Sequence, residues 1–355
     1  MTASTRGKKR KAEDSDGPQE TSKGGCEEEQ ISLTRSEDVW FHDGNLVLVA
    51  GSVAFKVYKG IITQYSSVFD ETFSRALPKG AMDDCPIVHL SDTSSDLSIL
   101  LMAIFDSAFG FFSDEQTLDF NHISAMLRLG SKYKITHICA EAIRRLKNCF
   151  PEDLDRYVSK HTSSYVLYPD SDTAYTSYFP TASIDLQHEH CIAVINLARI
   201  YGLDTILPAV FYAAAQLPLK TIIHGYDDGE TIWKLDEDDL ERCLNGQAML
   251  KSSMQRTFFW LFDSIPDACK DRKNCPSALR INRRDVWKKY LCRPDALLDS
   301  GRLDVELHNK FCPYCTYRVK VAHDKQREVT WNNLREYFDI MPSSLEEDEN
   351  MEQDT

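Results

Sequence analysis

Leu46-Val47-Leu48-Val49-Ala50-Gly51-Ser52-Val53-Ala54-Phe55-Lys56-Val57-Tyr58 is the stretch that decides the fold class. Leu46 to Val49 is a short, continuous apolar run, the pattern of a buried strand. Gly51-Ser52 is a turn signal. Val53, Phe55 and Val57 then alternate with Ala54, Lys56 and Tyr58, which predicts a second strand and a hairpin. Working outward, Ile61 and Ile62, then Val68, Phe69 and Phe73, predict two short helices, with Ser66-Ser67 positioned to cap the second. Pro86 to Leu90 reads as a third strand. Thr93 and Asp96 form a capping-box pattern, opening a helix whose face is Leu97, Leu100, Leu101, Ile104 and Phe105. Two further helices carry Phe120, Ile123, Met126 and Leu127, and Ile135, Ile138, Ala142, Ile143 and Leu146. The order is strand–strand–helix–helix–strand–helix–helix–helix. That predicts an α+β fold, a small sheet wrapped by helices, and not a repeating β-α-β wind.

Four segments of this region together resemble a BTB/POZ domain, over residues 36–150. They are Asp38-Val39-Trp40-Phe41-His42-Asp43-Gly44-Asn45 running into the first strand, Phe55-Lys56-Val57-Tyr58-Lys59, Ser66-Ser67-Val68-Phe69 with Phe73, and Val88-His89-Leu90-Ser91-Asp92. The likeness is strongest to the large group of such proteins in mushroom-forming fungi. The motif positions are Asn45, Phe55, Tyr58, Lys59, Phe69 and Phe73. Two of them depart from the common pattern: Asn45 stands where the family commonly has Asp, and Tyr58 where it commonly has His. Lys59 keeps the basic residue but loses the acidic partner that forms a charged pocket in transcription-repressor members. The resemblance implies self-association as a homodimer and a non-catalytic role in protein binding. One such role is an adaptor for a cullin-type ubiquitin ligase, for which Met82-Asp83-Asp84 loosely matches the apolar-x-Glu contact motif. The alternative is a nuclear regulator acting on transcription or chromatin through protein partners. Val39, Trp40 and Phe41, which precede the first core strand, are the dimer-interface candidates, with local core packing as the competing reading.

Beyond residue 150 the pattern changes. Residues 151–182 are broken by Ser, Pro and Asp and read as a linker or surface loop, although Tyr165, Tyr168, Tyr175, Tyr178 and Phe179 are too aromatic for a pure spacer. Residues 183–340 read as a mainly α-helical C-terminal domain without a comparable strand. Its helices carry Val194, Leu197, Ala198 and Tyr201; Pro208 with Val210, Phe211 and Ala214; Asp238-Asp239 with Leu240, Cys243 and Leu244; and Met254, Phe258, Leu261 and Phe262 up to Pro266. A last helix is marked by Trp331, Leu334 and Phe338. Leu235 to Gly246 also resembles the helical region that follows the BTB fold in those fungal proteins.

The termini are charge-dominated. Residues 1–35 hold seven basic and seven acidic side chains and read as a disordered tail. Its cluster Lys8-Lys9-Arg10-Lys11 is the import-signal candidate, which with the fold predicts a nuclear or cytoplasmic protein. Residues 341–355 form an acidic tail. The chain totals −14, so as a whole it repels phosphate backbones, and no direct nucleic-acid partner is expected. No apolar run reaches the ~18–20 residues of a bilayer span, so no membrane partner is expected either.

No phosphate-cradling glycine loop or nucleophile elbow is present, and no catalytic residue is assigned. His188-Glu189-His190-Cys191 places its imidazoles about 200° apart on a helix, too far round to share a metal. The constellation with chemical promise is Cys312-Pro313-Tyr314-Cys315, whose spacing brings two thiolates to one tetrahedral Zn²⁺. Cys269 and Cys275 are the candidates for the other two ligands, with Cys292, His308 and His323 as alternates. Sulfurs ~2.3 Å from one zinc lie about 3.5–4 Å apart. Structural zinc competes here with two other readings, a redox pair and buried free thiols acting as small hydrophobes.

Overall fold

The hairpin forms where the pattern places it. The computed structural model describes residues 33–75, 81–105, 110–161, 178–180, 183–229, 231–289, 293–298 and 311–340. Strand β2 (Leu46–Ala50) pairs antiparallel with β3 (Val53–Val57), closing on Ala50 opposite Val53. Gly51 takes φ +57°, the positive φ that a two-residue hairpin loop needs. The uninterrupted apolar run has a physical cause: both faces of β2 are covered. Leu46, Leu48 and Ala50 join the main core, while Val47 and Val49 pack on the opposite face with Ala54, Cys85 and Ile87, under Leu33, Trp40 and Met82.

The sheet has five strands in the order β1-β3-β2-β5-β4, where β1 is Thr34–Trp40, β4 Ala81–Met82 and β5 Cys85–Leu90. The strand β1 runs parallel to β3, and β5 parallel to β2. The crossover from β3 to β5 consists of α1 (Lys59–Tyr65) and α2 (Ser67–Arg75). Ser66 starts α2 by accepting the Phe69 N–H at 3.1 Å, and donates to the Tyr133 carbonyl at 2.6 Å. Helix α3 (Ser94–Phe105) opens with half a capping box: Thr93 Oγ1 accepts the Asp96 N–H at 3.1 Å, while the Asp96 carboxylate holds Arg128 at 2.8 Å. After the two-residue strand β6 (Leu118–Asp119), helices α4 (Phe120–Lys132) and α5 (Thr136–Cys149) complete the wrap. The fold is thus α+β, as the element order predicts.

Three expectations need correction. Within 151–182, expected as linker or loop, Leu154–His161 is a helix, α6. Its Tyr157 is buried against Tyr212 and Trp331, at ring-centroid distances of 5.9 and 5.0 Å. Two turns of helix are too short to establish a readable period. Secondly, a strand does follow residue 183. Strand β8 (Ile184–Gln187) pairs parallel with β6, Leu118 opposite Ile184, and antiparallel with β7 (Tyr178–Pro180). Thirdly, the helical face assigned as far as Phe262 is not continuous: Leu261 is buried, but from a 3₁₀ turn, and Phe262 is not. The helix stops at Thr257, and the 3₁₀ turn Phe259–Phe262 leaves Phe259 and Phe262 exposed.

One buried cation links the two halves. Arg145 on α5 is fully buried, and all five of its N–H donors are satisfied. Nε meets Glu141 at 2.7 Å, Nη1 the carbonyls of Gln116 (2.7 Å) and Ser183 (2.6 Å), and Nη2 those of Phe111 (3.1 Å) and Ser113 (2.8 Å). The loop before β6 and the entry to β8 are therefore fixed to one guanidinium.

The C-terminal half continues with α7 (His190–Tyr201), α8 (Leu207–Ala214), α9 (Leu219–His224), the hairpin of β9 (Tyr226–Asp227) and β10 (Ile232–Trp233), and α10 (Glu237–Thr257). Asp236 caps α10 by accepting the Asp239 N–H at 2.7 Å, and buried Asp239 holds Arg199 and Arg242. Beyond the 3₁₀ turn lie α11 (Cys275–Lys289), α12 (Pro313–Asn332) and α13 (Leu334–Tyr337). Among the described residues no helix is long and apolar enough to cross a membrane.

Gly246, in the middle of α10, is the seat of buried Phe338. A Cβ there would come within 2.0 Å of the ring. Gly246→Ala gains about 1 kcal/mol of helix propensity. Displacing Phe338 costs about 1–3 kcal/mol, so a net loss is expected, read as a lower urea midpoint. A raised midpoint would mean that the ring is not seated on this glycine.

Candidate metal centre

Two short turns build the cysteine cluster. After Pro266, a tight turn in which the Cys269 N–H meets the Pro266 carbonyl at 3.0 Å presents the first sulfur. Asp271 then accepts the Asn274 backbone N–H (2.9 Å), the Asn274 side-chain amide (2.8 Å) and the Lys273 N–H (3.2 Å), which hold its carboxyl below the usual range and lead the chain into α11 with Cys275 at its first position. Cys312 is the N-cap of α12, Pro313 occupies the first turn, where a missing N–H costs nothing, and Cys315 lies three residues on, on the same side as Cys312.

The four sulfurs all lie within 4.8 Å of one another, and all four residues are buried. Cys269 and Cys312 are 3.9 Å apart, sulfur to sulfur, and the Cys312 N–H donates to Cys275 Sγ at 3.3 Å. Ile265 and Phe311 close over them, with Phe311 packed edge-on to Trp260. The sulfurs thus converge on one point, close to the spacing expected around a tetrahedral ion. At 3.9 Å Cys269 and Cys312 are not bonded, and all four are free cysteines. Burial pushes the Cys275 and Cys315 thiols up. At Cys312 burial acts the same way but is outweighed by the backbone amides of Cys315 and Lys270 and by the neighbouring thiols, which pull it down to about 6. The surroundings of Cys312 thus favour the thiolate, the form that a metal requires.

Of the other metal candidates, His323 and the His188/His190 pair lie elsewhere. His323 is buried on α12 with Nε2 2.9 Å from the Leu298 carbonyl, outside the cluster. Cys292 and His308 lie outside the described residues. His188 lies in the turn before α7 and His190 at its first position, so the separation of about 200° along a shared helix does not apply, and they meet different partners. His188 Nε2 meets the Ala213 carbonyl at 2.8 Å, whereas His190 stacks on Phe120 at 4.5 Å, and burial takes both down to about 4.

The remaining singled-out residues fall as follows. Val39 faces the main core at 3% exposure, so it is a core residue and not part of an accessible interface. Trp40 is half-buried under the Arg35 guanidinium (4.8 Å) and against the second sheet face. Phe41 packs on Tyr58 and Phe105, each at 4.9 Å. Asn45 Oδ1 accepts the backbone N–H of Lys59 at 2.8 Å. Tyr58 is hydrogen-bonded to Asp43, which holds that carboxyl below its usual range. Phe55 and Phe69 are core, and Phe69 stacks on Tyr133 at 3.9 Å and on Phe73 at 5.3 Å. Asp83 and Asp84 form the positive-φ turn between β4 and β5, with Asp83 paired to Arg35 at 2.8 Å. Lys8, Lys9, Arg10 and Lys11 lie outside the described residues.

No protein-family model matches the chain, and no curated protein matches it.

Proposed function

We propose that this chain is a non-catalytic protein-interaction module. A BTB/POZ-like domain at residues 36–150 self-associates and recruits a partner, in the manner of an adaptor. A structural zinc held by Cys269, Cys275, Cys312 and Cys315 braces the helical half. The observation that carries the first part is the strand order. Apart from the edge strand β1 and the two-residue strands β4 and β6, the order is a hairpin, two helices, a strand and three helices, the order read from the motif-bearing sequence, and that strand runs parallel to the first hairpin strand. The metal reading is supported by four converged, buried sulfurs, a ligand set that closes a tetrahedron and leaves no position for substrate.

Light scattering on the full chain tests self-association. At about 20 μM, twice the 40.6 kDa monomer mass is expected. Trp40→Ala should shift the mass towards monomer, since a half-buried Trp at an interface is a typical energetic anchor. A wild-type monomer at that concentration would overturn the proposal. Elemental analysis tests the metal independently: one zinc per chain should survive washing with a weak chelator, and none after Cys275→Ser.

A further inference from the structure

The total charge of −14 conceals a separation. Between residues 269 and 330 there are fifteen Lys and Arg against eight Asp and Glu, a surplus of seven positive charges, so the remainder of the chain carries −21. Part of this surplus surrounds the cysteines. Because the four sulfurs lie within 4.8 Å of one another, residues one to three positions from each cysteine are held around a single point. Those residues include Lys270, Lys273 and Arg318, all exposed. Zinc with four thiolates has a net charge of −2, and Arg318 and Arg272 pair with Asp263 and Asp267 just outside this stretch, which accounts for four of the seven positive charges and leaves three.

Aromatic rings lie among these cations. On α12, Tyr314, Tyr317 and Val321 follow at i, i+3 and i+7, one face of the helix, and are 40%, 69% and 47% exposed. Lys320 and Lys325 are exposed on the same helix, and Phe262 at the end of the 3₁₀ turn is 63% exposed. An acidic chain that displays tyrosines among lysines and arginines on one rigid module has the chemistry of a stacking platform with phosphate contacts. An acidic peptide would satisfy the cations but gives the exposed tyrosine rings no role.

We propose that this face, centred on the N-terminal half of α12, binds single-stranded nucleic acid, with Tyr314 and Tyr317 stacking on bases and the surrounding lysines and arginines contacting phosphates. The proposal goes beyond the interaction-module reading. It rests on the convergence of the sulfurs and not on self-association, so a monomeric protein leaves it standing.

The test is fluorescence anisotropy of the full-length protein with labelled 20-nucleotide oligo(dT) and oligo(U), at 50 and 200 mM salt. Binding is expected at 50 mM. With about four phosphate contacts, each contributing ~0.7 to the logarithmic salt slope, it should weaken roughly 50-fold at 200 mM. Tyr317→Ala should weaken binding about fivefold or more at both salts with the slope unchanged. Lys320→Gln should flatten the slope by about 0.7. Both side chains are exposed, and an unchanged circular dichroism melt confirms that the variants fold. No binding at 20 μM protein and 50 mM salt would overturn the proposal. So would equal affinity for duplex DNA with indifference to Tyr317→Ala, the signature of a bare electrostatic film. Displacement by polyglutamate at equal charge concentration, again with no effect of Tyr317→Ala, would assign the face to an acidic protein segment instead.

Discussion

Removing the proposed zinc is expected to loosen residues 263–274 and the first turns of α12 while the sheet and α1–α5 stay folded. Structural zinc contributes about 10–16 kcal/mol of apparent binding free energy in small zinc-dependent peptides. Between the two turns it would hold, Leu279, Val286 and Leu297 belong to the main core and stay anchored there, so the effect is confined to the turns themselves. Cys269, Cys275, Cys312 and Cys315 form their own cluster, which among the described residues meets the main core through Ile265 and Phe311. The far half of α12 is fixed separately, through Thr330 to Ser253 at 2.7 Å and Arg327 to the Leu297 carbonyl at 2.9 Å. A strong chelator at neutral pH, or Cys275→Ser, should therefore lower the helical signal only in part. New protease cleavage should appear within residues 263–274 and in the first turns of α12, with none between 34 and 149. An unchanged spectrum and cleavage pattern after chelation would show that the four thiols pack simply as small hydrophobes.

Arg145→Met is the substitution in the N-terminal half with the largest expected cost. It would leave Glu141 short of one partner and take the guanidinium from four backbone carbonyls, of which those of Ser113 and Ser183 keep an N–H donor from Gln116 and Leu118. Breaking a buried ion pair from one side typically costs about 3–5 kcal/mol, a large part of the ~5–15 kcal/mol that holds a domain together. Urea titration should show that loss. Arg144→Met removes a cation from the same Glu141, but one that is 41% exposed, and should cost no more than about 1 kcal/mol. Equal costs for the two variants would remove Arg145 from its central place. The same site has an acid limit. Burial alone would raise the Glu141 carboxyl, but the hydrogen bonds and charges of Arg144 and Arg145 outweigh it and hold the group below its usual 4.5. Its stabilising contribution is therefore complete above that value and is lost as pH falls through the depressed one.

The legible parts of the chain are those where one period runs long enough to be counted. Leu46–Val57 and the helix faces at 97–105, 120–127 and 135–146 are read from sequence because apolar residues recur there at a single spacing. Helix α12 is not legible in this way. Its buried side is Cys315, Val319, His323, Arg327 and Thr330, a correct i+4 row made mostly of residues that count as polar. His323 and Arg327 are buried because the carbonyls of Leu298 and Leu297 meet them, a pairing with no trace in local sequence. The strand β1 is hidden for the opposite reason: Thr34 to Asp38 is polar and largely exposed at the sheet edge. The cysteine cluster is half legible. Cys312-Pro-Tyr-Cys315 announces itself by spacing, whereas Cys269 and Cys275 are joined to it only by a fold that brings distant turns together. Arg145 shows no sequence signal at all, since one arginine on an amphipathic helix ordinarily points to water.

The pairing of Leu118 with Ile184 sets an order of events during synthesis. Helices α1–α5 have all emerged by residue 149, yet β6 has no neighbour, and the Arg145 guanidinium lacks one of its carbonyls, until Ser183 and β8 follow. At roughly 5–20 residues per second, the ribosome leaves that edge open for a few seconds. The nascent N-terminal half therefore waits in a nearly finished state, with a short strand and a buried cation unsatisfied. A chaperone that holds this intermediate, or a neighbouring nascent chain that offers its own Ile184 segment, would compete with the intramolecular partner during that interval. A chain ending near residue 150 would remain in it permanently.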